Sequence, residues 1–383
     1  MTERPVVLLS IHPSVGLNGA GKSWLLILEA LRGHCDLWTS TPGPFPDARI
    51  ERRRELKVTC PQISRRFLGN LHYLLSFPCF VLLYAYLIWR HRVDIVHCNS
   101  VYLSQPMLAA RLCGRRLVVH VREAREKSPD LLYRFWVACA ELLADAIICV
   151  SLKDREHFKR KDVAYVPNWI SLDACALDAS RVPPAALPGL PAGFQPVLVV
   201  SQMIEGKGQD FAIDLFAELR RLRPKTKLYL AGGTNGNANN ERYRRAILEK
   251  IAGAGLSGEI VMLGEVRDIL PLMKSAGCVL MASRSESFSR VHLEAMATGC
   301  LLIATDVGST SEVIEDLADG VIIRWGDPAG AAAKCAQVLG DADLVRRIRL
   351  KAAQTVAARY AADMIAPEFR RLVLARSAPC AAS

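Results

Sequence analysis

Residues 278–305 read CVLMASRSESFSRVHLEAMATGCLLIAT. Two short apolar runs, Cys278–Ala282 and Leu301–Thr305, bracket a polar loop and a helical stretch. A short continuous apolar run marks a strand buried on both faces, and two such runs joined by a helix make a parallel strand–helix–strand unit. The same alternation extends toward the N-terminus. Val197–Val200, Lys227–Ala231 and Ile260–Leu263 read as further strands of this series. An earlier series comprises Val6–Ile11, Ile95–Cys98, Leu117–Val121 and Ala146–Val150, with helical patterns such as Ser23–Leu31 and Asp130–Leu143 between them. Alternation of this kind predicts α/β architecture, parallel sheets wrapped by helices.

Between the two series lies Ser180–Pro196, carrying Pro183, Pro184, Pro188, Pro191 and Pro196. Proline at that density removes backbone donors and stops helix and sheet alike, which predicts a linker. The expected organisation is an N-terminal Rossmann-like domain over 1–182, a linker over 183–196 and a second Rossmann-like domain over 197–355. Residues from about 328 onward read as helical to the end. Open parallel sheets bind ligands outside the carboxyl ends of their strands, so two facing sheets predict a site in the cleft between them.

Composition narrows the class. Of 383 residues, 51% are apolar and 23% charged, ordinary globular usage that excludes disordered and collagen-like chains. Twelve cysteines occur with no C-x-x-C pair, which predicts reduced thiols in a cytoplasmic protein and excludes zinc ribbons and disulfide frameworks. The net charge of +11 divides into +8 up to residue 185 and +3 beyond it. A basic first half favours an anionic partner there, against the simpler reading of a solvated surface. Nucleic acid is not expected, for want of aromatic interleaving or a reading helix. The opening residues do not read as a secretory signal.

Leu71–Trp89 is nineteen residues broken only by His72, Ser76 and Pro78, with Arg65-Arg66 before it and Arg90-His91-Arg92 after. By length it could cross a bilayer. A spanning helix would place Val6–Ile11 and Val93–His97, strands of one sheet, on opposite sides of a membrane, so the expectation is a buried or interface-lying helix.

Gly16-Leu17-Asn18-Gly19-Ala20-Gly21-Lys22-Ser23 matches the phosphate-loop pattern G-x-x-x-x-G-K-S. In such a loop the first glycine follows its strand closely, whereas His12-Pro13-Ser14-Val15 intervene here. The candidate magnesium-holding acid, Asp94, begins its strand rather than ending it. The remaining expectation is a glycine-rich loop opening a helix whose N-terminus favours an anion.

Glu286 and Glu294 stand eight apart, one before a loop and one on the following helix. Carboxylates there can accept hydrogen bonds from sugar or ribose hydroxyls, and the helix start offers N–H donors to a diphosphate. Glutamate spacing alone is equally compatible with a surface pair. The surrounding residues carry more. Segment 286–297 resembles the E-x7-E element of the retaining glycosyltransferases of family 4, and the resemblance spans nearly the whole chain in order. Ser201–Gly208 resembles that family's basic phosphate loop, Leu263–Val266 its base-contacting turn, and Ala304–Gly308 with Glu312 the strand and turn after the motif helix. Asp94–His97, Asp145–Ser151, Val166–Asn168 and Gly19–Gly21 fall where similar runs occur in the first half.

The resemblance implies the GT-B fold, two Rossmann-like domains with the C-terminal segment, 356–383, packing back on the first. It implies transfer of a sugar from a nucleoside diphosphate, uridine expected, to a hydroxyl with retained configuration. By the same resemblance Glu294 would hold the ribose, Glu286 the donor sugar, and the backbone of Phe288, Ser289, Arg290 and Val291 the sugar and phosphate. Lys207 would neutralise the leaving diphosphate, Gly264 and Val266 would meet the base, and Gly19, Ala20 and Gly21 would form the acceptor-side loop. Three departures stand out. Gln202 replaces the usual arginine, Ser289 stands where glycine is usual and narrows backbone freedom, and Arg122-Glu123 replaces a His-Asp pair. Arg122 is a candidate to restore the lost cation, with His120 and Asn168 beside it as either site or structural residues. Neither metal nor cofactor is expected, since the one D-x-D, Asp341-Ala342-Asp343, lies in the late helical region. The implied acceptor is a saccharide or lipid-linked molecule of bacterial cell-surface polysaccharide assembly, reached by peripheral docking on the anionic inner leaflet. A nucleotide-sugar epimerase of the same fold and a catalytically silent sugar-nucleotide-binding subunit are the alternative readings.

Overall fold

The computed structural model describes residues 4–16, 19–47, 50–51, 54–59, 67–124, 130–175 and 187–375, with backbone alone at 67–72, 130 and 174. Two compact units form. The first runs to Trp169 and takes in the chain from Asp363; the second is Ile170–Ala362.

The first unit holds strands β1 (Val7–Ile11), β2 (Asp36–Thr41), β3 (Glu55–Lys57), β4 (Ile95–Cys98), β5 (Arg116–Val121), β6 (Ala146–Cys149) and β7 (Ala164–Tyr165). Its helices are α1 (Gly19–Leu31), α2 (Phe67–Arg90), α3 (Ser104–Leu112), α4 (Asp130–Leu143) and α5 (Leu152–Arg155). The sheet is parallel throughout, in the order β3-β2-β1-β4-β5-β6-β7. Val7, Leu9 and Ile11 of β1 share one core with Val81, Tyr84 and Ile88 of α2, Met107 of α3 and Tyr133 and Trp136 of α4. Trp24, Leu25 and Leu28 of α1 build a second cluster with Phe45 and Ile50.

The second unit begins with α6 (Leu172–Cys175) and holds β8 (Gln195–Val200), α7 (Gln209–Leu222), β9 (Thr226–Ala231), α8 (Ala238–Gly253), β10 (Ile260–Gly264) and α9 (Leu270–Ala276). It continues through β11 (Cys278–Met281), α10 (Arg290–Ala297), β12 (Leu301–Thr305), α11 (Thr310–Val313), β13 (Val321–Ile323), α12 (Pro328–Gly340) and α13 (Ala342–Arg359). This sheet is also parallel, in the order β10-β9-β8-β11-β12-β13. The chain then returns to the first unit as α14 (Ala362–Leu374). There Phe369 packs on His97, His120 and Trp169, and the carbonyl of Leu372 accepts from Arg116 at 3.0 Å.

The predicted boundaries shift. The first unit ends at Trp169 rather than 182, because Ile170 is bridged to Ala361 and its N–H donates to Tyr360 O. The second unit accordingly starts before the proline-rich stretch and runs on to Ala362, beyond the expected 355. Within that stretch 183–186 lie outside the described residues, while Gln195 and Pro196 already belong to β8, paired with Thr226 and Lys227. Pro196 fits there because a strand's first residues tolerate a missing donor. The D-x-D is spent on helix structure: Asp341 caps α13 by accepting from Leu344 N at 2.9 Å, and Asp343 pairs with Arg346. Asp94 precedes β4 and is taken by Arg4 and Val7 N, as its place at the strand start required.

In each sheet the order reverses once, at β1/β4 and at β8/β11, and the crevice outside those carboxyl ends is where such sheets bind ligands. In the second unit the loops there approach so closely that side chains are excluded. A Cβ on Gly208 would stand 1.9 Å from Ala282 O, one on Gly232 1.8 Å from Ser201 O, and one on Gly308 2.1 Å from Glu286 O, all at positive φ. Gly253, ending α8, meets nothing within 4 Å. Gly308→Ala is therefore expected to cost at least about 2 kcal/mol and lower the melting temperature by about 4 °C or more, while Gly253→Ala raises it slightly. Thermal denaturation of both variants checks this contrast.

Candidate functional site

The reversal point of the second sheet carries the site. After β8 the chain makes a single 3₁₀ turn, Glu205–Lys207, and enters α7 through Gly208 at φ 68°. After β11 it runs through Ser283–Ser289 into α10. Arg284 N donates to Gly206 O at 3.0 Å, which ties the two loops together. Glu286, only 7% exposed, accepts at one oxygen from Lys207 Nζ at 2.5 Å and from Ser283 Oγ at 2.8 Å. Burying a carboxylate without such partners would cost several kcal/mol, roughly, so the lysine and serine are what allow an acid to stay here.

One turn into α10, Glu294 is equally buried and accepts from Arg290 Nε and NH2 at 3.3 and 3.1 Å. Arg290 thus belongs to the site through its guanidinium, not only its backbone. The N-cap of α10, Ser289, has φ −81° and ψ 123°, and its hydroxyl caps nothing. That backbone is open to any residue, so serine in place of glycine imposes no restriction, contrary to the sequence expectation. The first N–H groups of a helix have no partner inside it, and without a side-chain cap they remain available to an anion. The N-termini of α7 and α10 follow neighbouring strands, so two positive helix ends meet at one crevice.

His292, buried behind Glu286, has its pKa lowered to about 4, first by burial and against the pull of Glu286. Phe288 is buried against Tyr360, ring centroids 5.9 Å apart. Val291 is half-buried in the first turn of α10. Gln202 accepts at its carbonyl from Gln209 Nε2 at 2.7 Å, which shapes the loop. Arg284 is the nearby cation the sequence reading missed, but Asp210 and Glu205 hold it and it lies over Trp325 at 4.8 Å. At the turn after β10, Gly264 has φ 68° and is exposed with Glu265, and Gly232 N donates to Gly264 O at 2.7 Å. Val266 lies half-buried beside them.

In the first unit the strand ends at β1/β4 carry buried histidines that are neutral. Asn99 Nδ2 donates to His12 Nδ1 at 2.9 Å, and His12 stacks on Trp24 at 5.0 Å. Ser10 Oγ receives Trp24 Nε1–H at 2.9 Å and lies 3.0 Å from His97 Nδ1. Burial, with Arg122 adding to it, lowers both His12 and His97 to about 3. His120 faces Phe369 of α14 with neither ring nitrogen hydrogen-bonded among the described residues, so it sits in the core beneath that helix. Arg122 donates to Asn168 Oδ1 at 2.5 Å. Glu123 turns back to accept from Val101 N and Arg122 N at 3.2 and 3.1 Å, a loop anchor whose carboxyl burial pushes upward in pKa. Gly19 and Ala20 open α1 exposed, and Gly21 is buried where a Cβ would meet Gly16 O at 2.1 Å. Leu17 and Asn18 of that loop lie outside the described residues.

Comparison with known proteins follows this division. Residues 17–174 match the family described as Glycosyltransferase Family 4, and residues 189–355 match Glycosyl transferases group 1. The D-inositol 3-phosphate glycosyltransferase of Nocardia farcinica is 31% identical over 168 residues, 43% of this chain and 37% of that protein. The N-acetyl-alpha-D-glucosaminyl L-malate synthase of Bacillus anthracis is 29% identical over 126 residues, 33% of each chain. The lipopolysaccharide core biosynthesis mannosyltransferase LpsB of Rhizobium meliloti is 32% identical over 123 residues, 32% of this chain and 34% of that one. These alignments span about a third of the curated relatives' length. Over nearly the whole chain the fold is that of a Rickettsia africae glycosyltransferase (TM-score 0.77, 18% identity, 97% of this chain and 100% of that one). It is equally that of Anabaena HepE, solved with UDP and glucose (TM-score 0.78, 20% identity, 95% and 98%).

The buried imidazole of His292 gives a pH prediction with a definite sign. Its folded pKa, about 4, lies below the ordinary 6.5, so the unfolded chain binds the extra proton between those values. Its contribution is therefore complete above pH 6.5 and lost as pH falls toward 4, about 2 kcal/mol by pH 5. Urea denaturation at pH 7 and pH 5 should show His292→Gln losing less stability on acidification than the parent.

Proposed function

The chain belongs to the family 4, group 1 glycosyltransferases, and from that premise we propose that it moves a sugar from a nucleoside diphosphate to an acceptor hydroxyl with retained configuration. The observation that carries the reading is the pairing of Lys207 with Glu286 beside the uncapped N-terminus of α10, with Glu294 one turn further on. The diphosphate is assigned to the two helix N-termini and Lys207. An ammonium has three donors, of which Glu286 takes one, so Lys207 can hold the carboxylate and a phosphate oxygen together. Glu286 is assigned to hydroxyls of the donor sugar and Glu294, oriented by Arg290, to the ribose.

In the reaction the bond from the anomeric carbon to the diphosphate oxygen breaks, and its electron pair stays on the phosphate. The new bond to the acceptor oxygen forms on the same face, and the acceptor's proton passes to the departing phosphate. Charge develops on that phosphate, where Lys207 and the N–H groups of α10 stabilise it without rearranging. The reading uses these groups in place of a metal. UDP is the carrier we assign, and HepE, of the same fold, was solved with UDP. The acceptor is assigned as a saccharide or lipid-linked hydroxyl compound bearing negative charge, in keeping with the basic first half. Relatives named for inositol 3-phosphate, malate and lipopolysaccharide core support an anionic acceptor of this kind.

Calorimetric titration with UDP, GDP, ADP and ATP, with and without magnesium, tests the donor site. The expected result is binding of one diphosphate independent of magnesium and weakened about 10- to 100-fold in Glu294→Ala. Magnesium-dependent ATP binding, indifferent to Glu294 and lost in Lys22→Ala, would overturn the assignment. For the chemical step, Lys207→Ala is expected to lower turnover of the bound UDP-sugar by about 100-fold or more, with Glu286→Gln also impaired in turnover but retaining UDP affinity. Release of an epimerised sugar without any acceptor would instead support the epimerase.

A further inference from the structure

The helix that raised the membrane question is nailed down on one side only. Tyr73 Oη meets Ser104 Oγ at 2.7 Å, Tyr84 Oη meets Ser40 Oγ at 3.1 Å, and Val81, Tyr84 and Ile88 sit in the sheet core. A spanning role would break these contacts, and β1 and β4 are directly paired, so α2 lies along the surface of its own domain. Its 24 residues make a rod about 36 Å long. From Leu74 to Trp89 the opposite face is exposed and apolar, with Leu74, Leu75, Pro78, Leu82, Tyr86 and Trp89 on it and no charge before Arg90. Leu75, Leu82 and Trp89 are 72%, 69% and 70% exposed.

A second helix repeats the pattern. In α4, Tyr133, Trp136, Val137 and Ala140 are buried, yet Leu131, Phe135 and Leu142 are exposed at the helical spacing of four and seven. Helices α2, α3 and α4 pack on the same strand face, so their outer faces look the same way, and exposed Leu112 ends α3 between the other two. Surface leucines scattered singly need no account, but two facing stripes on one layer do.

Charge selects the occupant. Arg90, Arg92 and Arg134 are exposed beside the stripes and form no ion pair among the described residues. Among the described residues the acids of the layer are engaged: Asp94 by Arg4 and Val7 N, Glu141 by Lys159 N and Arg160 N, and Asp145 by Leu117 N and Arg111. A second copy of the chain would bring the same cations to the same face, whereas anionic head groups neutralise them. Tyr86 and Trp89, next to Arg90, are the residue types that settle at the head-group level. We propose that the outer face of α2 and α4 is a docking surface for an anionic lipid bilayer, into whose interface α2 lies flat. This inference is independent of the sugar-transfer reading. Arg65 and Arg66, expected from sequence to share in docking, lie outside the described residues and are not needed for it.

Co-sedimentation of the full chain with vesicles of phosphatidylcholine, or of the same lipid with about a third phosphatidylglycerol, tests it. The expected result is binding to the anionic vesicles, reduced about fivefold for each charge removed in Arg90→Gln and Arg92→Gln. Leu75→Ser and Leu82→Ser should each cost about tenfold or more. These positions are exposed, so unchanged melting curves establish that the variants fold. Failure of the parent to bind, or equal binding by the variants, would overturn the proposal. So would retention through an alkaline carbonate wash, which marks a spanning helix. A dimer in sedimentation velocity abolished by the leucine substitutions would give the face to a second copy.

Discussion

Backbone crowding at the carboxyl ends of β8, β11 and β12 is the constraint on which the candidate site depends. Gly208, Gly232 and Gly308 each adopt a positive φ with another loop's carbonyl oxygen where a side chain would begin. Because no Cβ intervenes, the loop bearing Lys207 lies against the loop bearing Glu286, and the two side chains meet. The open sheet supplies the crevice, and the glycines bring its walls close enough for chemistry.

Electrostatics follow one rule in each unit taken by itself. In the second unit Glu286 has Lys207 beside it and Glu294 has Arg290, and in the first unit Glu123 has two N–H groups. The buried bases that lack a counter-charge give theirs up. His12 and His97 become neutral through burial, as His292 does although Glu286 is near. A donor carrying a diphosphate would therefore meet fixed helix ends and one ammonium already held by Glu286.

The first unit divides its surface differently. On one side of its sheet α14 returns to cover His97 and His120 with Phe369, while on the other α2, α3 and α4 form a layer with two apolar outer stripes. A helix apolar all round is normally buried all round. Here one face satisfies the core and the other is exposed, which is why composition alone placed α2 between core helix and membrane span.

Much was legible in the chain itself. Continuous apolar runs gave nine strands within one or two residues, because strands buried on both faces leave no room for polar residues. The strands not anticipated, β2, β3, β7 and β13, are short or carry polar residues, and only their neighbours make them strands. The E-x7-E spacing, the lysine loop and the family likeness also come from sequence, since each is a matter of residue type at a fixed interval. Tertiary structure alone decided the rest. Nothing in the order of residues says that Lys207 and Glu286, 79 positions apart, share one hydrogen bond, or that Ser289 sits in ordinary extended backbone. Nor does it say that the first unit ends at Trp169, since Ile170 joins the second unit through Tyr360 and Ala361, some 190 residues away. Such pairings depend on distances in space, and a chain records those only once its sheets have closed.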